Sequence, residues 1–175
     1  MGIAENFTKS KLVIGILSTR PEKKEILRRQ LVDQFGPIDY ESPEFDFTFT
    51  DYYDPEMGEN IKRYFYSFAD LVDPEKLSDI KLQTNDIEQN FSEDTLRKIN
   101  IDPGLLSLSS LILATTKNNV HRIPLQKGIY GEVTLMYAHR QFQILPWTYA
   151  DYQCPEYHKI FEEMRKILKR DLKQI

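Results

Sequence analysis

The segment from residue 109 to residue 145 constrains the fold more than any other part of this sequence. It contains four runs of strand length, at 109–117, 120–125, 129–137 and 141–145. Turns of only two or three residues separate each run from the next. Short runs joined by such turns are typical of antiparallel hairpins. The segment therefore predicts a four-stranded antiparallel meander.

Further strands are predicted earlier in the chain. Apolar runs at 11–18 and 61–69 have strand length, and phenylalanines alternate with polar residues from 45 to 49. A short strand is predicted at 97–101. The Asp-Pro-Gly sequence at 102–104 is typical of a turn and predicts the end of that strand.

Helices are predicted where apolar residues recur every three or four positions. The spacing indicates helices at about 21–35 and 73–91, and a third from about residue 155. Beside the apolar stripe of the second helix, polar residues follow at i, i+4 and i+7. These are Lys81, Asn85 and Glu88, which we expect at the border between the packed face and water.

Length and composition agree with one domain. The chain has 175 residues, of which 41% are hydrophobic, enough for a single core. We predict an α+β fold over residues 1–175, with a mostly antiparallel sheet of about seven or eight strands and two or three packing helices. Residues 1–10 are predicted to be a flexible N-terminal segment.

Charge and cysteine content restrict the environment and the partners. The net charge of −4 and the scattered basic residues are not the pattern of a duplex nucleic-acid binder. Cys154 is the single cysteine, so a disulfide framework is excluded and a reducing compartment is favoured. The apolar runs fall far short of a membrane span of about 20 residues. We predict a cytoplasmic protein without a membrane or duplex nucleic-acid partner.

The sequence lacks the common motifs of nucleotide and metal enzymes. It contains neither a P-loop nor the Gly-x-Gly-x-x-Gly pattern, so P-loop enzymes and Rossmann dehydrogenases are disfavoured. His-Glu-x-x-His, Cys-x-x-Cys and Gly-x-Ser-x-Gly are absent as well. Any chemistry must come from residues that the fold brings together.

One polar cluster stands out within the predicted meander. His121 and Arg122 lie on a predicted strand near Lys117 and face the predicted strand that carries Glu132. An arginine fork suits phosphate or carboxylate, and histidine exchanges protons near neutral pH, so the cluster fits an anion site. An exposed strand face on which Arg122 pairs with Glu132 explains the same pattern equally well.

Four carboxylates at element ends or on polar rows are candidates for a divalent metal site. They are Asp51, Glu88, Asp102 and Glu132. Their positions do not form one spaced motif, and capping, turn or salt-bridge roles explain them at least as well.

Aromatic residues near the last predicted helix form another candidate surface. Trp147, Tyr149 and Tyr152 surround Asp151 and could stack on a base or a sugar. Packing of the helix onto the sheet explains these rings equally well.

Five segments, in this order, resemble the bacterial and archaeal family numbered 4416 among domains of unknown function. They are Phe-Thr-Asp-Tyr-Tyr at 49–53, Asn-Ile-Asp-Pro-Gly at 100–104, Ala-Thr-Thr-Lys-Asn at 114–118, Glu-Val-Thr-Leu at 132–135 and Trp-Thr-Tyr-x-Asp-Tyr at 147–152. The resemblance covers essentially the whole chain. It implies a shared fold and a shared polar set, without a stated mechanism.

Pro124 and Ala150 depart from the family pattern, which has tyrosine and proline there. Proline lacks a strand donor, so Pro124 predicts an edge strand.

Two functional hypotheses follow. The first is a site for a small phosphorylated or nucleotide-like anion, with a divalent metal as an optional cofactor. Its ligand-binding candidates are Lys117, Arg122, Asn85, Asn100, Tyr53, Trp147 and Tyr149; its catalytic candidates are Asp51, His121 and Glu132. The second is a non-enzymatic protein-interaction module, with the aromatic segments at 49–53 and 147–152 exposed to a partner. The first predicts that the polar candidates meet in one cleft.

Overall fold

The computed structural model describes residues 1–174 and contains one antiparallel sheet of nine strands. The strands are β1 (Ser10–Ser18), β2 (Ile38–Glu41), β3 (Phe45–Asp46), β4 (Lys62–Val72), β5 (Ile99–Leu106), β6 (Ser110–Thr115), β7 (Ile123–Pro124), β8 (Tyr130–Ala138) and β9 (Gln141–Ile144). Their order is β2-β4-β1-β5-β6-β8-β7, with β3 beside β4 and β9 beside β8. The sheet does not close.

Three helices of more than two turns and one short helix accompany the sheet. They are α1 (Lys24–Phe35), α2 (Asp54–Met57), α3 (Leu77–Asn90) and α4 (Pro155–Asp171). The predicted α+β fold, with a mostly antiparallel sheet and packing helices, is confirmed. No helix within residues 1–174 is long and apolar enough to cross a membrane.

Alternation along the central strands divides the core between the two faces of the sheet. On β1, Leu12, Ile14 and Ile16 pack on the side of α1 and α3. Val13 lies on the opposite face, in a second cluster to which α4 contributes Phe161 among others. The sheet is therefore a middle layer with helices on both sides. β1 is buried along its whole length.

The short edge elements differ from their predictions. Only Phe45–Asp46 is strand where alternation predicted 45–49, and only Ile123–Pro124 is strand where 120–125 was predicted. His121 and Arg122 consequently lie in a turn and not on a strand. β2 and α2 were not predicted. β7 is an edge strand, as Pro124 indicated. The predicted meander order is wrong, because β6 pairs with β8 and β7 pairs with β8 on the side away from β6.

The predicted flexible N-terminal segment, residues 1–10, overlaps β1 by one residue. Residues 1–9 contain no helix or strand, but Ser10 is buried and begins β1. The flexibility of this segment stays a prediction.

The turn predicted at 102–104 is wrong, and this error concerns the most important feature of the sheet. Asp102, Pro103 and Gly104 lie within β5, paired with β1. The ladder between β5 and β6 covers only Gly104 to Leu106 opposite Leu111 to Leu113. Beyond Gly104 the two strands separate.

Proline explains where the separation begins. In an antiparallel strand, alternate residues direct their N–H and C=O groups to the same side. Leu105 pairs with Ile112 of β6, and Ile101, four residues earlier, directs its groups to the same side. Pro103 lies between them and has no N–H to donate there. The ladder with β6 therefore cannot continue past it in regular form.

Candidate functional site

The gap between the separated ends of β5 and β6 forms a cavity of about 730 Å³. Its walls are the open part of β5, the end of β6 with the turn that follows, and two aromatic segments near residues 47–53 and 149–152. We call it the large cavity. Residues distant in sequence meet there because β4, β1, β5, β6 and β8 follow one another across the sheet.

The edge of β5 that faces the gap is satisfied by side chains of α3. Lys81 Nζ donates to the carbonyl oxygen of Ile101 at 2.9 Å. The amide of Ile101 donates to Glu88 Oε1 at 2.6 Å. These two side chains occupy the place of a neighbouring strand. Burial raises the pKa of the Glu88 carboxyl above its ordinary value, against the opposing effect of Lys81.

A buried arginine of β4 lies beneath the large cavity. Arg63 is only 3% exposed and donates to Asp151 at 2.9 Å and to Asp102 at 3.3 Å. Gly15 of β1 leaves room for it, because a Cβ there would lie 3.1 Å from Arg63 Nη1. Arg63 Nε is buried without a hydrogen-bond partner among residues 1–174. Burial raises the pKa of the Asp151 carboxyl, against the Arg63 charge.

Glu132 of β8 joins the cavity wall to the turn that follows β6. Its Oε2 accepts from Arg122 Nε at 2.7 Å and contacts His121 Nε2 at 2.9 Å. Its Oε1 is buried and has no partner within the described chain. The pair between Arg122 and Glu132 is the alternative that the sequence left open. It is largely buried, although the strand-face interpretation placed it at an exposed surface.

The other two nitrogens of Arg122 are also engaged. Its Nη1 donates to the carbonyl oxygen of Lys117 at 2.8 Å, and its Nη2 to the Tyr149 hydroxyl at 2.6 Å. Burial, with the Glu132 charge, raises the pKa of Tyr149 to about 12. Arg122 therefore holds two loops and a strand together, with each of its three nitrogens engaged.

His121 and Trp147 lie behind this network and do not line the large cavity. Their rings stack at 5.0 Å between centroids, and Trp147 Nε1 donates to the carbonyl oxygen of Val133 at 2.8 Å. They orient Glu132 and the loop at 147–149 and make no direct contribution to the cavity surface.

Arg97, just before β5, fixes the orientation of an amide in the cavity wall. Its Nη1 donates to Asn100 Oδ1 at 2.6 Å, and its Nη2 to Glu56 at 2.8 Å. A guanidinium only donates, so the atom that faces it must be the oxygen of the Asn100 amide. Asn100 is 4% exposed, and neither its Nδ2 nor Arg97 Nε has a partner in residues 1–174.

The mouth of the large cavity is spanned by one polar contact. Lys117 Nζ donates to the Tyr52 hydroxyl at 2.8 Å and lies 4.8 Å from the centre of that ring. This hydrogen bond lowers the pKa of the Tyr52 phenol. Tyr52 is 61% exposed, so the contact lies at the surface.

A smaller cavity of about 350 Å³ adjoins the large one. Asn85 and Glu88 line the smaller cavity, while Lys81, Arg97 and Thr116 line both. These three residues therefore mark a junction between the two spaces.

The structure brings together part of the predicted site. The predicted candidates that line the large cavity are Tyr53, Asn100, Asp102, Lys117, Arg122, Glu132 and Tyr149. Asp51 is exposed and lies outside its lining. The metal candidates Asp51, Glu88, Asp102 and Glu132 do not form one group. Within residues 1–174 no set of three or more His, Cys, Asp or Glu side chains is placed to hold a metal ion.

Three cations of the lining were not predicted as site residues. Arg63, Lys81 and Arg97 come from β4, α3 and the segment before β5. Lys81 had a sequence signal, because it follows the polar row with Asn85 and Glu88. The sequence signal for Arg63 was weaker, because it is only a charge near the start of a mostly apolar strand. Nothing local indicated that Arg97 would meet Asn100.

Comparison with known proteins gives one match. The family model described as Domain of unknown function (DUF4416) matches residues 8–168, which confirms the resemblance seen in the five sequence segments. No curated protein and no solved structure matches the chain.

Proposed function

The chain belongs to the DUF4416 family, and we propose that it binds a small anionic molecule, phosphorylated or nucleotide-like, in the large cavity. The observation that carries this proposal is the lining itself. Cationic, aromatic and acidic side chains from separate elements surround one space of about 730 Å³. That volume is within the range usual for small-molecule sites.

The lining offers a distinct contact to each part of such a ligand. Its five cations are Arg63, Lys81, Arg97, Lys117 and Arg122; its six aromatic rings are Phe47, Phe49, Tyr52, Tyr53, Tyr149 and Tyr152; its three carboxylates are Asp102, Glu132 and Asp151. Cationic donors suit phosphate oxygens, and rings stack on a planar base or pack on a sugar. Carboxylate oxygens accept from hydroxyl or amino groups.

Glu132 gives the clearest acceptor for a neutral part of the ligand. It is 1% exposed, and its Oε1 is an unpaired acceptor among the described residues. A buried acceptor without a partner is costly, and a ligand hydroxyl or N–H removes that cost. The proposal covers binding and assigns no reaction. It places the protein in the cytoplasm, where the single Cys154 thiol stays reduced.

One observation favours a second candidate function, recognition of a protein partner. Phe49, Tyr52, Trp147 and Tyr149 are each more than a third exposed. Exposed aromatic side chains are typical of protein interfaces. This surface adjoins the large cavity, because three of the four side chains also line it.

A thermal-shift screen of the purified chain tests the first proposal. Nucleotides, sugar phosphates and amino acids are each added with and without Mg²⁺ or Mn²⁺. A ligand that binds only the folded state, at about 100 times its dissociation constant, adds about 2.7 kcal/mol of stability. A screen without any stabilising ligand overturns the proposal and leaves the protein-partner function.

Two lysine variants locate the binding. Lys117→Ala removes a charge at the cavity mouth, and Lys127→Ala removes one that pairs with Asp79 away from the cavity. We expect about two- to fivefold weaker binding for Lys117→Ala, the size of one exposed charge contact, and wild-type binding for Lys127→Ala. Equal affinities in both variants would place the ligand elsewhere.

A further inference from the structure

Arg122, which the sequence singled out as an anion contact, has three of its five N–H groups engaged. Arg122 uses Nε, Nη1 and Nη2 for Glu132, Lys117 and Tyr149. A ligand could bind these donors only by breaking contacts that hold the wall together. Buried donor atoms with no partner at all lie in another part of the lining.

Unused donors are found at the junction of the two cavities. Asn100 Nδ2 and Arg97 Nε are buried N–H groups without an acceptor among residues 1–174. Lys81 Nζ donates to the Ile101 carbonyl oxygen at 2.9 Å, and its nearest carboxylate oxygen, on Glu88, is 3.9 Å away. An ammonium has three donors, so capacity remains.

The orientation of Asn100 makes its free donor specific. Arg97 holds Oδ1, so the Nδ2 group is turned away from the guanidinium while the side chain lines the large cavity. An unmade buried hydrogen bond costs about 1–3 kcal/mol. Two such donors on adjoining side chains, beside a buried lysine, indicate a place prepared for an acceptor group.

We infer that Asn100, Arg97 and Lys81 form the subsite for the phosphoryl group of the ligand, at the junction of the two cavities. This inference rests on the proposed function and adds the position of the anionic group. Two of the three side chains carry a positive charge, and an amide N–H binds an oxyanion without one. The rest of the ligand then extends toward the aromatic mouth and Glu132.

An isosteric pair of substitutions tests the subsite. Asn100→Asp keeps the oxygen that accepts from Arg97 and replaces the free donor by a carboxylate oxygen. Asn119→Asp adds the same charge to the same cavity, and keeps the oxygen that accepts from the Val120 amide. The probe is inorganic phosphate, titrated by calorimetry at constant ionic strength, followed by any organic phosphate from the screen.

We expect phosphate to bind Asn100→Asp at least about tenfold more weakly than the wild type, the size of one lost hydrogen bond to a charged group. Asn119→Asp should bind within about threefold of the wild type, because its charge lies at the solvated mouth. Equal weakening in both variants overturns the inference, since binding would then follow overall charge.

A second variant covers the case in which Asn100→Asp does not fold. Arg97→Lys keeps the charge but removes Nε and the planar fork. We expect severalfold weaker phosphate binding, with the unfolding transition showing that the chain is folded. If an organic phosphate binds Arg97→Lys, and Asn100→Asp where it folds, with wild-type affinity, the subsite is overturned and the proposed function stays intact. A wild type that binds neither phosphate nor any organic phosphate overturns both.

Discussion

The two halves of β5 have the same neighbour on one side and opposite surroundings on the other. Both pair with β1. The half from Gly104 to Leu106 also pairs with β6 and belongs to the apolar interior. The half from Ile99 to Asp102 faces a gap, and its polar residues Asn100 and Asp102 line the large cavity. One strand thus contributes to the core at one end and to the candidate site at the other.

Two adjacent residues separate these halves. Pro103 cannot donate toward β6, so regular pairing ends there. Gly104 allows the two strands to approach closely, because a Cβ on it would lie 2.7 Å from the Ile112 carbonyl oxygen. A cavity in a sheet therefore needs no insertion. It follows from a change in pairing partner over two residues.

The half of β5 that pairs with β6, Gly104 to Leu106, should be disrupted most severely by Gly104→Ala. The added Cβ would meet a backbone oxygen at 2.7 Å and the Leu113 side chain at 2.6 Å, and a backbone atom cannot simply rotate away. We expect a loss of about 3 kcal/mol or more in urea unfolding, at the upper end for overpacking.

Gly131→Ala is the matched control, in β8. Its Cβ would meet only side-chain carbons at 3.4 Å or more. Its stability should stay within about 1 kcal/mol of the wild type. Equal losses in both variants would show that the close approach at Gly104 is not the cause.

The half of β5 that faces the gap, Ile99 to Asp102, should be destabilised by Lys81→Met. The substitution keeps most of the side-chain volume but leaves the Ile101 carbonyl oxygen without its donor. We expect a loss of about 1–3 kcal/mol by urea unfolding. Lys76→Met, an exposed substitution just before α3, should change stability by less than about 0.5 kcal/mol. An unchanged Lys81→Met would mean that β5 does not depend on α3 at this edge.

Glu88→Gln should change the pH dependence of stability. The pKa of Glu88 is raised in the folded chain by burial, so the folded state holds its proton more tightly than the unfolded state. This favourable contribution is complete below the ordinary pKa of 4.5 and is lost as pH rises through the folded value.

The wild type should therefore lose stability relative to Glu88→Gln as pH rises from about 4 to 7. Urea unfolding at a series of pH values measures the difference. The raised pKa of Asp151 contributes equally to both curves, because both chains contain this residue. A difference that stays constant with pH, or grows in favour of the wild type, would contradict the raised pKa.

The smallest effect is expected at the mouth. Lys117→Ala removes an exposed contact with Tyr52, so stability should change by less than about 0.5 kcal/mol even though ligand affinity falls. Thermal unfolding without ligand measures the first quantity. A clear loss of stability would show that the contact across the mouth also holds the fold.

Sequence patterns predicted the parts of this comparison that depend on local periodicity. β1, α3, α4 and β8 each contain enough periodic residues to identify element and face. The Asp-Pro-Gly segment was predicted as a turn because its local preferences agree with a turn. Its pairing with β1, 87 or more residues away in sequence, overrides them.

The candidate site shows the same division. Glu132, Arg122 and Asn100 were predicted, and the cavity contains them. Arg63 and Arg97 were missed as site residues because their roles depend on Asp151, Asn100 and Glu56, which only the tertiary fold brings near. Local pattern identifies polar residues that do not fit packing, but it does not identify their partners.

The contacts of Lys81 and Glu88 with Ile101 have a consequence for how such a site can diversify. A strand edge closed by another strand can be altered only by moving a backbone. Here the edge is closed by two side chains on a helix, and side chains change through single substitutions. Other residue pairs at positions 81 and 88 that still donate to the Ile101 carbonyl oxygen and accept from its amide can differ in side-chain length and charge. The width and polarity of the cavity can therefore vary by point mutation while the sheet keeps its register.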